Sequence, residues 1–482
     1  MSRQSSLYKN AISFCYKLLS ELPDAAKDTE LYKTLEKEIY EYAKDISVLL
    51  VRYLEPKNEK YHPILEARTE EMCVALETYI DLFEREKMLT EKESAVLIKE
   101  IQEFCADQKQ LILKRKKVVI LTTTFGYGHN AAAHALKNAM LEMYGYDVEI
   151  AVVDLLKGSN SLYETSVKYT PGVYRWLFES TDTDMAMDVM NSIVQPVLGA
   201  RLENLVREED PDIIVSTYPL LGAQQWIADK LRKSPKYIPL VLVVTDSISV
   251  HQMWITEDID YYIVPNEDTK EIMVEKGVKA ECVKVLGFPV NTKFYADYDI
   301  KKEREKEGID PDKLTFLALV NTGGTQKDVE FLYNFEEVCG GKAQCMMILG
   351  KNEQLYKKLL KKNLGPNVKL YTWVGDMYRL MNIADVMIAK AGGAITMECI
   401  AVKKPMIITK VLPGQEEGNA ETVLKYGLGD VIKDGDPEEV LAVMKSYTDH
   451  PKLVEDVKKN FDGITIPRAT FKVAEFVKGL MK

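Results

Sequence analysis

From residue 116 onward the chain is built of short β-branched runs separated by longer stretches of helical character. Six runs come first: "KVVILTTT", "VEIAVVDL", "DIIVSTYP", "PLVLVVTD", "YYIVPN" and "CVKVLGFPV". After the charged stretch Lys301 to Lys313 the scheme restarts with "LTFLALVNTGG", "CMMILG", "VKLYTWV", "DVMIAKAGG", "KPMIITK" and "GLGDVIK". None alternates polar with apolar residues as a sheet with one wet face does, so they suit parallel strands covered on both faces by helices. The expected class is α/β, with two Rossmann-like domains, 116–298 and 299–482, facing a cleft. In open parallel sheets ligands bind outside the carboxyl ends of the strands, so the loops that follow the strands are where chemistry is expected.

The first 115 residues follow another rule. No glycine occurs before Gly126, strand signals are absent, and Leu31, Leu35 and Ile39 fall near one helical stripe, as do Cys73, Leu76, Ile80 and Phe83. Breaks at Pro23, between Pro56 and Pro63, and at Leu89 divide the region into about four helices. The last opens with Thr90-Glu91-Lys92-Glu93, a capping-box pattern. Residues 1–115 are expected to form an all-α bundle that serves packing or oligomerisation.

Composition excludes several classes. A formal net charge of -11 repels phosphates, so nucleic acid is not an expected partner. The seven cysteines are scattered and never form a C-x-x-C pair, which argues against a disulfide framework and a zinc ribbon. No apolar run approaches the roughly 18 residues of a membrane span, and the first 25 residues lack the order of a signal peptide, so the expected location is cytoplasmic.

The opening loop, "FGYGHNAAAHAL", stands between a strand and a helix. Gly126, Gly128 and Ala131 spell a dinucleotide-type G-x-G-x-x-G/A spacing, and Asp154 lies 26 positions after Gly128. That reading leaves His129 unexplained, because a pyrophosphate needs bare amides there. A phosphate-binding Walker loop would need Lys-Ser or Lys-Thr after the glycines, and neither is present. His129 and His134, five residues apart, do not share a helix face, so no metal site is expected. An imidazole held at a strand-to-helix turn is instead placed to act as a general base on an attacking hydroxyl.

In the second half, "AKAGGAITME" again puts glycines between a strand and a helix. The amides around Gly392, Gly393 and Ala394 are suited to a diphosphate, which they would also stabilise as a leaving group. Glu398, one turn further, is placed to accept hydrogen bonds from a ribose diol. The loop "LPGQEEGN" packs Gln415, Glu416 and Asn419 closely, offering the amides and carboxylates that sugar hydroxyls require. A base on one wall and a diphosphate site on the other describe group transfer from a nucleotide diphosphate to a hydroxyl.

These loops, with "VTDSISVHQMW", "GFPVNTKF" and the whole stretch from Tyr371 to Asn419, resemble the monogalactosyldiacylglycerol synthase and diacylglycerol glucosyltransferase group. They are similar also to its relative that adds N-acetylglucosamine to the lipid-linked peptidoglycan precursor. The resemblance covers about residues 116 to 475. It implies a GT-B fold and inverting, metal-independent transfer from a UDP-sugar, a co-substrate with no further cofactor, to a lipid at the inner membrane face. By position, it implies His129 as catalytic base and the Val374 backbone as uracil contact. It further implies Glu398 as the ribose ligand, Gln415 and Glu416 as the pair reading the sugar, and Asp246 as second-choice base or orienting group. Ile395 stands where the group has threonine, so the expected phosphate bond is either lost or shifted to Thr396. The segment "YETSVKYTPGVYRWLF", with Lys168, Arg175 and Trp176, resembles the region that meets acceptor lipid in galactolipid synthases.

The expected function is hexose transfer from a UDP-sugar to a lipid hydroxyl, with diacylglycerol as acceptor. The alternatives are N-acetylglucosamine transfer to a polyprenyl-diphosphate lipid and a non-catalytic nucleotide-sugar-binding protein.

Overall fold

A computed structural model of the chain describes residues 13–14, 17–53, 62–113, 116–123, 127–154, 199, 201–219, 227–228, 231–232, 236–248, 250–256, 259–320, 324–412, 416–432 and 434–481. The chain divides into two compact units, residues 1–116 with 141–149, and residues 117–140 with 150–482.

The first unit is helical. Its long helices are α1 (Glu30–Tyr53), α2 (His62–Arg85) and α3 (Glu91–Leu113). Residues at helical spacing on each, Leu35 and Ile39, Leu76, Ile80 and Phe83, Leu97 and Ile101, meet in one apolar cluster. The cap at the start of α3 is reciprocal: the Glu93 N–H donates to Thr90 Oγ1 at 3.3 Å, and the Thr90 N–H donates to Glu93 Oε2 at 2.9 Å. Bonds from the Thr90 amide and hydroxyl hold the Glu93 carboxyl below its ordinary range.

The α/β part of the chain begins with β1 (Lys116–Thr122), α4 (Tyr127–Tyr144), β2 (Val148–Asp154), β3 (Ile213–Ser216), β4 (Leu240–Val243), β5 (Tyr261–Val264), α5 (Glu267–Glu275) and β6 (Val283–Val285). After helix α6 (Ile300–Glu307) come β7 (Leu314–Leu319), β8 (Ala343–Ile348), β9 (Val368–Tyr371), α7 (Met377–Ile383) and β10 (Val386–Lys390). The remaining elements are α8 (Gly393–Ala401), β11 (Met406–Lys410), α9 (Glu417–Lys425), β12 (Gly429–Val431) and α10 (Ala469–Leu480). Each β-branched run picked out in the sequence is a strand. β3, β4, β7 and β8 are buried along nearly their whole length, as strands covered on both faces must be.

The strands form two six-stranded sheets, in the orders β2-β1-β3-β4-β5-β6 and β12-β11-β10-β7-β8-β9. β1 pairs parallel with β3, and β7 pairs parallel with both β8 and β10. The direction of winding reverses between β1 and β3 in the first sheet, and between β7 and β10 in the second. Those are the two points at which doubly wound sheets open a crevice for ligands. The chain is therefore two Rossmann-like halves, the GT-B arrangement.

Polar contacts join the halves. Ser247, after β4, lies 3.1 Å from Thr422 on α9, hydroxyl to hydroxyl, and Asp268 on α5 takes bonds from Lys425 and from the Tyr426 hydroxyl, each at 2.9 Å. Helix α10 follows the second sheet in sequence but returns to the first half: Phe476 meets Tyr261 of β5 edge to face at 5.1 Å. Thr470 bonds both backbone groups of Val290. Gly287 permits this approach, since its φ is +89° and a Cβ there would stand 2.5 Å from the Cβ of Ala469. On α6, the buried Arg304 donates to the carbonyls of Ile383, Pro311 and Lys313 and to Asp385, and so fixes that helix to the second half.

Candidate functional site

His129 lies in the first turn of α4, at the switch point of the first sheet. Its Nδ1 is 2.8 Å from the carbonyl oxygen of Thr217, just after β3, and 2.8 Å from Oγ1 of Thr245, just after β4. A carbonyl oxygen only accepts, so Nδ1 carries the proton and donates, and Nε2 is the basic nitrogen. The Thr217 side chain helps hold the turn, its Oγ1 lying 3.0 Å from the His129 carbonyl. Tyr218 packs edge-on to the imidazole at 5.0 Å, and the buried Trp254 lies at 6.4 Å. Burial lowers the imidazole pKa to about 4, against a smaller upward effect of the Thr217 carbonyl. The ring is neutral at pH 7, and the residue as a whole is half-buried.

Asp246 stands behind Trp254. The indole Nε1–H donates to Asp246 Oδ2 at 2.6 Å, while burial pushes the carboxyl up to about 6 and the indole bond holds it back from rising further. His129 and Asp246 are thus linked through one aromatic ring.

The second wall begins at α8. Its N-cap is Gly392, so no side chain caps the helix and its first amides are left to other acceptors. A Cβ on Gly128 would stand 3.8 Å from the amide nitrogen of Ala394, and one on Gly393 would stand 3.4 Å from the carbonyl of Thr245. The starts of α4 and α8 therefore meet, and the threonine that holds His129 also touches the glycine that opens α8. Two positive helix ends converging on one space favour an anion.

Several of the groups expected to bind ligand stand on α8, on α9 or just before it, and after β9. Glu398, half-buried, has no hydrogen-bond partner among the described residues, and burial alone pushes its carboxyl up to about 8. The Thr396 hydroxyl and the Asn419 carbonyl oxygen Oδ1 are buried and also without partners among the described residues. The Asn419 amide Nδ2 donates to the carbonyl of Ala391 at 3.0 Å, which fixes which way the side chain faces. Glu416 is engaged at both oxygens: Oε1 with Lys390 at 2.5 Å, and Oε2 with the Leu412 N–H at 3.0 Å. Val374, beyond β9, is half-buried against the core of the second half, and its backbone N–H and C=O have no partner among the described residues.

Gly126, Gln415, Lys168, Arg175 and Trp176 lie outside the described residues. Thr217, Thr245, Trp254 and Lys390 were not singled out from the sequence, and each enters the site through a partner distant along the chain or around a turn. Among the described residues no group of three His, Cys, Asp or Glu side chains is arranged to hold a metal ion.

Residues 129–290 match the family Monogalactosyldiacylglycerol (MGDG) synthase, and residues 299–462 match Glycosyl transferases group 1. A processive diacylglycerol beta-glucosyltransferase of Bacillus licheniformis is 30% identical over 370 residues, covering 74% of this chain and 92% of that protein. The enzyme of the same name from Bacillus pumilus is 28% identical over 75% of this chain and 94% of its own length. Among solved structures, the glycotransferase of kitacinnamycin superposes with a TM-score of 0.51 at 13% identity, over 76% of this chain and 100% of that one, a likeness of fold alone. With identity of that degree running through nearly the whole of each Bacillus enzyme, the chain belongs to the monogalactosyldiacylglycerol synthase and diacylglycerol glucosyltransferase family and is a glycosyltransferase of the GT-B fold.

Proposed function

We propose that this chain transfers a hexose, with inversion, from a UDP-sugar to the free hydroxyl of diacylglycerol at the inner face of the membrane. The observation that carries the reading is His129. Its Nδ1 proton is committed to the Thr217 carbonyl, which leaves Nε2 unprotonated on a residue whose neighbour Gly128 lies against the opening of α8. The acceptor hydroxyl gives its proton to Nε2 as its oxygen bonds to the anomeric carbon. The bond from that carbon to the β-phosphate oxygen breaks on the opposite face, and UDP leaves with the electron pair. The amides at the start of α8 meet the charge that develops on the departing diphosphate. Val374 offers backbone groups to the uracil, Glu398 accepts from the ribose diol, and Gln415, Glu416 and Asn419 read the sugar. The unpartnered Thr396 hydroxyl is the nearest substitute for the threonine that Ile395 replaces.

Glucose is the hexose we propose, because the Bacillus relatives carry that sugar in their names. No helix among the described residues is long and apolar enough to cross a membrane. Contact with the lipid surface is assigned instead to the segment holding Lys168, Arg175 and Trp176. The test offers UDP-glucose, UDP-galactose and UDP-N-acetylglucosamine in turn to diacylglycerol liposomes and to a polyprenyl-diphosphate lipid, with products read by mass spectrometry. A glucosyl-diacylglycerol product supports the reading. Product only on the polyprenyl lipid replaces the acceptor, and UDP binding without any product leaves a nucleotide-sugar-binding protein.

A further inference from the structure

Lys390 is the last residue of β10, and the ladder with β11 shifts register between Ala389 and Lys390. Such an irregularity at a strand end re-aims the side chain. The side chain runs past the mouth of α8: its Cε is 3.3 Å from where a Cβ on Gly392 would stand, and Glu416 Oε1 is 3.7 Å from the same point. The ion pair between them therefore lies across the N-cap of the helix proposed to take the diphosphate. The two partners are not alike. Glu416 keeps only 6% of its side-chain surface accessible, whereas Lys390 keeps 31%. The second carboxylate oxygen of Glu416 is bound to a backbone amide, which cannot withdraw without moving the loop. Of the groups holding Glu416, only the lysine rides on a long flexible stem.

The geometry points to Lys390 as a diphosphate-binding residue whose ammonium is held by Glu416 until the donor arrives, so that one exchange arms both ends of the site. As the diphosphate settles on α8, the ammonium swings from Glu416 Oε1 to a phosphate oxygen, and Oε1 becomes free to accept from a hydroxyl of the transferred sugar. Two needs are met together. The leaving group gains a positive charge where negative charge develops, and the sugar-reading carboxylate is released only when a diphosphate is present. A phosphate placed here with Lys390 still on Glu416 would instead stand beside a desolvated carboxylate, which is unfavourable. The inference rests on the proposed UDP-sugar reading and adds to it a residue and an order of events.

The test is calorimetric titration of the full chain with UDP and, separately, with uridine, which has no phosphate, for the wild type, Glu416→Gln, Lys390→Met and Lys390→Arg. Glu416→Gln is expected to bind UDP more tightly, because it frees the ammonium and removes the competing carboxylate, while its transfer rate with a UDP-sugar falls. Lys390→Met is expected to bind UDP about tenfold to a hundredfold more weakly, the worth of one charge-assisted hydrogen bond. Lys390→Arg should recover much of that loss, and uridine affinity should be alike in all four proteins. Opposite changes in UDP affinity from the two halves of one ion pair are not produced by a merely structural bridge. Weaker UDP binding in Glu416→Gln overturns the inference, as does wild-type UDP affinity in Lys390→Met or a parallel loss of uridine binding. If UDP shows these shifts but no lipid is glycosylated, the exchange stands and the acceptor reading falls. A wild-type chain that binds no UDP removes both.

Discussion

The two candidate bases differ in where they titrate, and the pH profile of kcat/KM separates them. His129 takes up its proton only at about 4, against an ordinary value of 6.5. Burial thus favours the neutral ring in the folded protein by roughly 3 kcal/mol. With His129 as base and the UDP-sugar held saturating at every pH, kcat/KM for diacylglycerol should stay nearly level from pH 7 to pH 5 and fall only as pH approaches 4. Asp246, which titrates at about 6, would be protonated in roughly nine molecules of ten at pH 5, and a reaction depending on it would lose about tenfold over the same interval. Replacing His129 with alanine should lower the rate by about 10² to 10⁴ across the whole range, whereas Asp246→Asn should leave the shape of the acidic limb unchanged. A tenfold fall between pH 7 and 5 that disappears in Asp246→Asn, with full activity in His129→Ala, would refute the assignment. The fold must be followed in parallel by circular dichroism. The pKa of His129 is lower folded than unfolded, so its contribution to stability is present above about 6.5 and is lost as pH falls toward about 4.

Three further outcomes follow from the same geometry. Glu398 holds its proton at pH 7, its carboxyl being raised to about 8 by burial, so a ribose diol donating to the ionised form should expel that proton. UDP should then bind more tightly at pH 8 than at pH 6, with proton release visible by calorimetry in buffers of different ionisation enthalpy, and Glu398→Gln should abolish the dependence. Thr422→Val removes the hydroxyl contact with Ser247 between the halves and should lower unfolding stability by about 1 kcal/mol in urea titration, with Ser247 still bonded by Asn266. Arg304→Met leaves Asp385 and three carbonyls without their shared donor, and a loss on the order of 3 to 5 kcal/mol is expected in the same titration.

What could be read in advance followed from local chemistry. The strands are visible because a doubly covered strand must be apolar at every position, and the α3 cap because its two partners are three residues apart. His129 was conspicuous because an imidazole has no place in a glycine-rich phosphate loop. Its tautomer was not legible, since the groups that set it, Thr217 and Thr245, are 88 and 116 residues away and reach it only through the order of strands. Trp254 was in plain view eight residues after Asp246, but their bond depends on the short turn from Gln252 to Trp254. Lys390 looked like the polar end of a strand. Its meaning lies in Glu416, 26 residues on, a candidate sugar ligand with which it is ion-paired.

The return of α10 to the first sheet bears on how the protein is made. Val290 leaves the ribosome with neither backbone group satisfied by its eventual partner, because Thr470 is synthesised 180 residues later. At about 5 to 20 residues per second, that separation is a wait on the order of ten to thirty seconds. During it the surface around Gly287 and Tyr261 is exposed to whatever else can bind it. Expression of residues 116–298 alone, which lacks α10, should therefore yield aggregated rather than folded protein.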